Sequence, residues 1–236
     1  MDAEAAAFFK RMVDDAAAIA TSGRWDAVNV RLKFLAQNPG SGNGWWVQVF
    51  IGLCDRTFSE YLALKHAFAD KERGDVALLA WRARNLFELS VWATYCARSR
   101  ENARRLYEDA GRDVRGVFDA FIKWGTKTAQ GTDWLIPIEK AVDDRAQEAL
   151  SAGIESLEGR FKEVRDAAEE CGIESTLTNK MLSKFAHPTA MRILAGVDEA
   201  REALQRETFY SDGCLFFLGA FHALEGQLVS QSKANA

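Results

Sequence analysis

The sequence predicts an all-α fold, a multi-helix up-and-down bundle, and three observations carry that prediction. Wherever the apolar residues show a clear period they recur at alternating threes and fours, the spacing of one helix face. No segment alternates at period two over a length that would make a sheet strand. The 236 residues hold only 3 Pro and 17 Gly, too few for a chain of short strands and frequent turns. With 48% hydrophobic and 27% charged residues the chain can bury a full core, and it reads as a single helical domain over residues 1–236.

The first helix, Ala3 to Thr21, places Phe8, Phe9, Met12, Val13, Ala16 and Ile19 at helical spacing. A shorter helix over Trp25 to Gln37 completes a hairpin, and the breaker-rich stretch Asn38 to Gly44 stops it. Residues 1–44 therefore read as an N-terminal hairpin and linker, and residues 45–236 as the main bundle. From Trp45 a long helix ending near Gly74 carries Trp46, Phe50, Leu53, Thr57, Tyr61, Leu64 and Phe68 on one core face. Asp75 can cap the next helix, striped by Val76, Leu79, Ala83, Leu86, Ser90, Ala93 and Ala97. Its other sides are apolar too, with Trp81, Phe87, Leu89, Val91, Trp92, Tyr95 and Cys96, so it is expected at the centre of the bundle.

From Arg98 to Arg115 the mixed charges predict a solvated segment that can continue the helix, and Val114 to Trp124 then returns to core spacing. A long outer helix is expected from Asp133 to Cys171, with Pro137 in its first turn, where a missing N–H costs nothing, and Gly172 closing it. Ser175 can cap a helix to Ala186, Pro188 can begin another, and Asp212 can cap a final apolar helix through Leu228.

Thirty basic against 34 acidic side chains give a net charge of −4, which argues against broad binding of duplex DNA. The four cysteines stand far apart without a CxxC pair and read as reduced core thiols. Acidic residues near the start, where a signal peptide is basic, point away from export. The most apolar run, Cys214 to Leu224, falls well short of the ~20 residues of a membrane span and is closed by Glu225. A soluble, cytoplasmic protein without membrane attachment is the expectation. Metal chemistry finds no support: no Glu-x-x-His pair and no HExxH occurs among the 3 histidines, His66, His187 and His222. The Gly40, Gly42, Gly44 run lacks the Lys-Ser/Thr of a phosphate-binding loop, and no GxSxG elbow is present, so no cofactor is expected.

Two constellations carry chemistry. Arg84 and Glu88 stand four apart on the central helix, where a partly buried ion pair needs either a satisfied polar network or a ligand. The second is Thr178 to Ala190, in which His187 precedes Pro188 and is driven out of the helical region, with Ser183 and Lys184 one turn behind. His187 can close the helix end or serve a site. Glu88 needs a donor, and both guanidinium and imidazole can supply one, so Arg84, Glu88 and His187 are expected in one polar cluster.

At these residues the sequence resembles a HEPN-like all-helical family related to prokaryotic abortive-infection proteins. The resemblance covers Trp46 to Leu194 and rests on Arg84-x-x-x-Glu88 and on Leu182-Ser183-Lys184-x-x-His187-Pro188. It implies a helical bundle, frequent homodimerisation, and in many members metal-independent RNase activity in defence systems. The family motif pairs an arginine and a polar residue with a histidine. Matching His187 and Ser183 to it puts Leu182 at the arginine, so Lys180, Lys184 or Arg84 would have to supply the charge. The resemblance thus implies a nucleotide- or RNA-related binding module in defence or stress, with a degenerate catalytic motif in which His187, Lys184 and Arg84 are the candidate catalytic residues. Arg84, Glu88, Ser183, Lys184 and His187 are the candidate ligand-binding residues. The competing expectation is a non-catalytic helical interaction protein, with which 7 tryptophans are compatible.

Overall fold

The computed structural model describes residues 3–37, 44–70, 75–128, 133, 136–151, 162–187, 189 and 198–234. Nine helices are described, and no strand occurs among those residues. They are α1 (Ala3–Thr21), α2 (Arg24–Gln37), α3 (Gly44–Ala69), α4 (Val76–Arg98), α5 (Arg100–Thr128), α6 (Ile136–Ser151), α7 (Val164–Cys171), α8 (Thr176–Ala186) and α9 (Glu199–Ala234).

As its all-round apolar sequence predicts, α4 is central. It lies along α9 over its greatest length and is flanked by α3, α8, α5 and α7. Its stripe from Val76 through Ala93 is buried, and Asp75 caps it by accepting the Leu78 N–H at 2.7 Å. The N-terminal hairpin closes one side, α1 against α9 and α2 against both α3 and α9. Trp25 of α2 stacks on Phe58 and Phe217, and Phe217 stacks in turn on Tyr61 at 4.2 Å between centroids. Such aromatic pairs add to the area term that drives burial. Closure of α3 on α9 depends on Gly213, because a Cβ there would overlap the Leu64 side chain.

Several expectations are corrected. Asp212 caps nothing: α9 runs unbroken through it from Glu199, and Asp198 is the residue that accepts the Arg201 N–H, at 3.1 Å. The residue after Asp212, Gly213, is instead a point of close packing on Leu64. The helix expected from Asp133 to Cys171 is not continuous, since Lys162 and Glu163 are not helical. The Lys162 N–H donates to Asp109 Oδ2 at 2.8 Å, and α7 then starts afresh after Glu163. Pro137 does sit in the first turn of α6, and Gly172 ends α7 in the left-handed conformation, φ 68°. Ser175 holds the N-cap position of α8, but Glu174 makes the capping bonds, accepting the Thr176 N–H at 2.8 Å and that of Leu177 at 3.3 Å. Trp81, expected among the apolar sides of α4, is exposed beneath the Arg82 guanidinium. The long helix expected to reach Gly74 ends at Ala69. The linker at 38–43 and the turn after Pro188 lie outside the described residues.

The largest departure is the charged segment after Arg98. It begins a new helix, α5, behind the extended Ser99, and one side of it is buried rather than solvated, whereas Val117, Phe121 and Trp124 in the stretch expected at core spacing are exposed. Asp109 and Arg112 pair at 2.7 Å with side chains only 6% and 7% exposed. Glu108 joins them through Arg112 at 3.1 Å and Arg104 at 3.3 Å.

Candidate functional site

The candidate site forms where the middle of α4 meets the C-terminus of α8. Leu182 anchors α8 there, fully buried against the core. The position that the family motif gives to arginine is therefore a packing position in this chain. At the end of α8 the backbone turns extended at His187, φ −108° and ψ 154°, as a residue before proline must. That exit is pinned on both sides. The His187 N–H donates to the Ser183 carbonyl at 3.3 Å and the His187 carbonyl accepts the Thr189 N–H at 2.8 Å. The Thr189 hydroxyl also closes onto the Lys184 carbonyl at 3.1 Å.

Held this way, the His187 ring reaches Arg84. The guanidinium Nε donates to Glu88 Oε1 at 3.0 Å, and Nη1 lies 3.1 Å from His187 Nε2. Arginine has only donors, so in this contact Nε2 is the acceptor. The expected cluster of Arg84, Glu88 and His187 is thus assembled across α4 and α8. It is an edge site rather than a sealed one: Arg84 and Glu88 side chains are 28% and 31% exposed, and His187 is exposed. Glu88 fixes the long arginine side chain in one direction, and the guanidinium N–H groups not engaged by Glu88 and His187 remain available to an acceptor from solution.

Ser183 and Lys184 are not joined to this cluster by side-chain hydrogen bonds among the described residues. Their backbone carbonyls hold the turn, Ser183 is half-buried and Lys184 is exposed one turn from His187. His66 and His222 lie apart on α3 and α9, and among the described residues no group of His, Cys, Asp and Glu is arranged to hold a metal ion. No described helix is long and apolar enough to cross a membrane. Burial pushes the Cys54 and Cys214 thiols up to about 12, and all four cysteines are free.

Sequence reading passes over a second concavity, of about 540 Å³, between α3, α4, α5 and the segment leading into α7. Leu53 and Leu89 on its walls read as ordinary core-face positions, and only the relative placement of three helices leaves space between them.

Comparison with family models, curated proteins and solved structures finds no match to this chain.

Proposed function

We propose that this chain is a HEPN-like helical module that binds a phosphate-bearing ligand, a nucleotide or a segment of RNA, at the Arg84–Glu88–His187 cluster. The observation that carries this reading is the arginine held between a carboxylate and an imidazole at an open helix edge, with donors left for an incoming anion. A planar guanidinium suits a phosphate because two parallel N–H bonds meet two oxygens. His187 can hydrogen-bond the same group, and Lys184 on the neighbouring turn adds positive charge at the rim. RNase turnover is the narrower form of this reading. It would require Arg84 to take the place left by Leu182, with His187 moving the proton of a ribose hydroxyl.

The test is calorimetric titration of AMP, ATP and a short single-stranded RNA into the wild type and Arg84→Ala, with an RNA-cleavage assay in EDTA alongside. Loss of a charge-assisted contact worth about 1.5–3 kcal/mol should weaken binding at least tenfold in Arg84→Ala. Equal binding by wild type and variant, or no binding of any of the three ligands, removes the reading.

A second reading, a self-associating or partner-binding helical protein, is favoured by the outer face of α5. Val117, Phe121 and Trp124 follow at spacings of four and three and are 56%, 41% and 50% exposed. Two-fold homodimerisation through that stripe should appear in sedimentation equilibrium and disappear in Val117→Ser/Trp124→Ser.

A further inference from the structure

We propose that the cavity between α3, α4 and α5 binds a small amphipathic zwitterion, a free amino acid with an aromatic or large apolar side chain. Its carboxylate would meet Arg56 and its ammonium Asp113. The site is independent of the Arg84 cluster.

The body of the cavity is apolar: Leu53 on α3, Leu89 and Trp92 on α4, and Leu106 and Tyr107 on α5 line it. Its volume of about 540 Å³ lies inside the roughly 300–1,000 Å³ typical of small-molecule sites. The space owes part of its room to Gly52, whose position carries no side chain and where an added Cβ would meet nothing within 4 Å. Gly52 stands four residues before Arg56 on the same face of α3, so the guanidinium rises directly beside the void.

The charges around it decide the ligand class. Of the two lining cations, Lys162 is engaged by Glu170 and lies over the Tyr95 ring. Of the two lining carboxylates, Asp109 is consumed by Arg112 and by the Lys162 N–H. That leaves Arg56 and Asp113, neither of which makes an ion pair or a side-chain hydrogen bond among the described residues. One cation and one carboxylate that form no ion pair with each other border a hollow with aromatic residues in its wall. A purely anionic ligand would leave Asp113 unmatched and a purely cationic one would leave Arg56 unmatched, whereas a zwitterion answers both. Partial burial and the adjacent Asp109 carboxylate hold the Asp113 carboxyl above its usual range, an unfavourable charge that a bound ammonium relieves.

The experiment is isothermal titration of the full chain with L-tryptophan, with tryptamine as the ammonium-only analogue and indole-3-propionate as the carboxylate-only analogue. L-tryptophan should bind about tenfold or more tightly than either analogue. In Gly52→Leu the new side chain fills the void, so binding should vanish while the melting temperature holds or rises, since leucine is the better helix former. Arg56→Gln should erase the advantage over tryptamine, and Asp113→Asn the advantage over indole-3-propionate. Both are exposed, so these two variants decide the matter even if Gly52→Leu fails to fold. The proposal is overturned by no binding of L-tryptophan at millimolar concentration, by equal or tighter binding of either analogue, or by binding that survives in a folded Gly52→Leu.

Discussion

Two clusters of this molecule are built from the same element, an arginine four residues before a carboxylate on a helix, and their carboxylates end in different environments. On α4, Arg84 and Glu88 lie at an edge, about a third exposed, and the arginine's outer partner is a histidine from another helix. On α5, Arg104 and Arg105 precede Glu108 and Asp109 by four residues. There the two arginines are about as exposed as Arg84, but Glu108 and Asp109 are only 14% and 6% exposed: Arg112 adds a second, buried layer, and a backbone N–H from Lys162 takes the remaining Asp109 oxygen. Helical spacing brings the partners together in both cases. What differs is whether a neighbouring segment seals them, and that decides whether the charges hold the fold or remain available to a ligand.

The comparison breaks most sharply at Arg112. Arg112→Ala leaves the Asp109 and Glu108 carboxylates under-compensated beneath the segment that enters α7. Stability measured by urea denaturation at pH 7 should fall by about 3–5 kcal/mol, as for one partner lost from a buried pair. A variant that unfolds at the wild-type midpoint would show the network to be no more than surface pairing.

Asp212 sharpens the contrast from the other side, as a half-buried charge on α9 with no ion-pair partner among the described residues. Burial raises its carboxyl from 3.8 to about 6. The folded state therefore binds more protons than the unfolded state between those values, so stability should fall as pH rises through that window and level off above it. Asp212→Asn should gain on the order of 2 kcal/mol at pH 7 and flatten the slope between pH 4 and 6. An unchanged slope would mean that water reaches the carboxylate.

The smallest stability effect is expected at the edge cluster. Arg84→Ala should lower stability by less than about 1 kcal/mol, the scale of exposed pairs, while it removes the ligand response described above. A drop as large as that of Arg112→Ala would make the α4 cluster structural as well.

Much of the fold is legible in the chain because helical period survives in sequence whatever surrounds it. The stripe of α4, the cap at Asp75 and the closure at Gly172 all follow from local chemistry, and each appears in the structure. The site was legible for a related reason: Glu88 on an otherwise apolar helix demands a donor, and the pre-proline His187 is forced to a helix end. The misreadings share one cause. Arg98 to Arg115 reads as solvated because charge predicts exposure, yet its burial depends on Lys162, far along the chain. Asp212 reads as a cap because aspartate favours helix starts, yet α9 runs straight through it, and the Gly213 beside it is where α9 passes close to Leu64.

The sequence by itself determined that this protein is helical, where most helices run, that α4 lies at the centre, and that Arg84, Glu88 and His187 belong together. These follow from periodicity, capping and the cost of an unpaired buried charge, all of which act within a few residues or demand a partner outright. Only the tertiary structure decided that Asp109 and Arg112 of α5 are buried together, that Leu182 faces the core, and that a hollow opens between α3, α4 and α5. Those outcomes depend on how separate helices approach one another. Sequence spacing along a single helix carries no record of the distance to its neighbours.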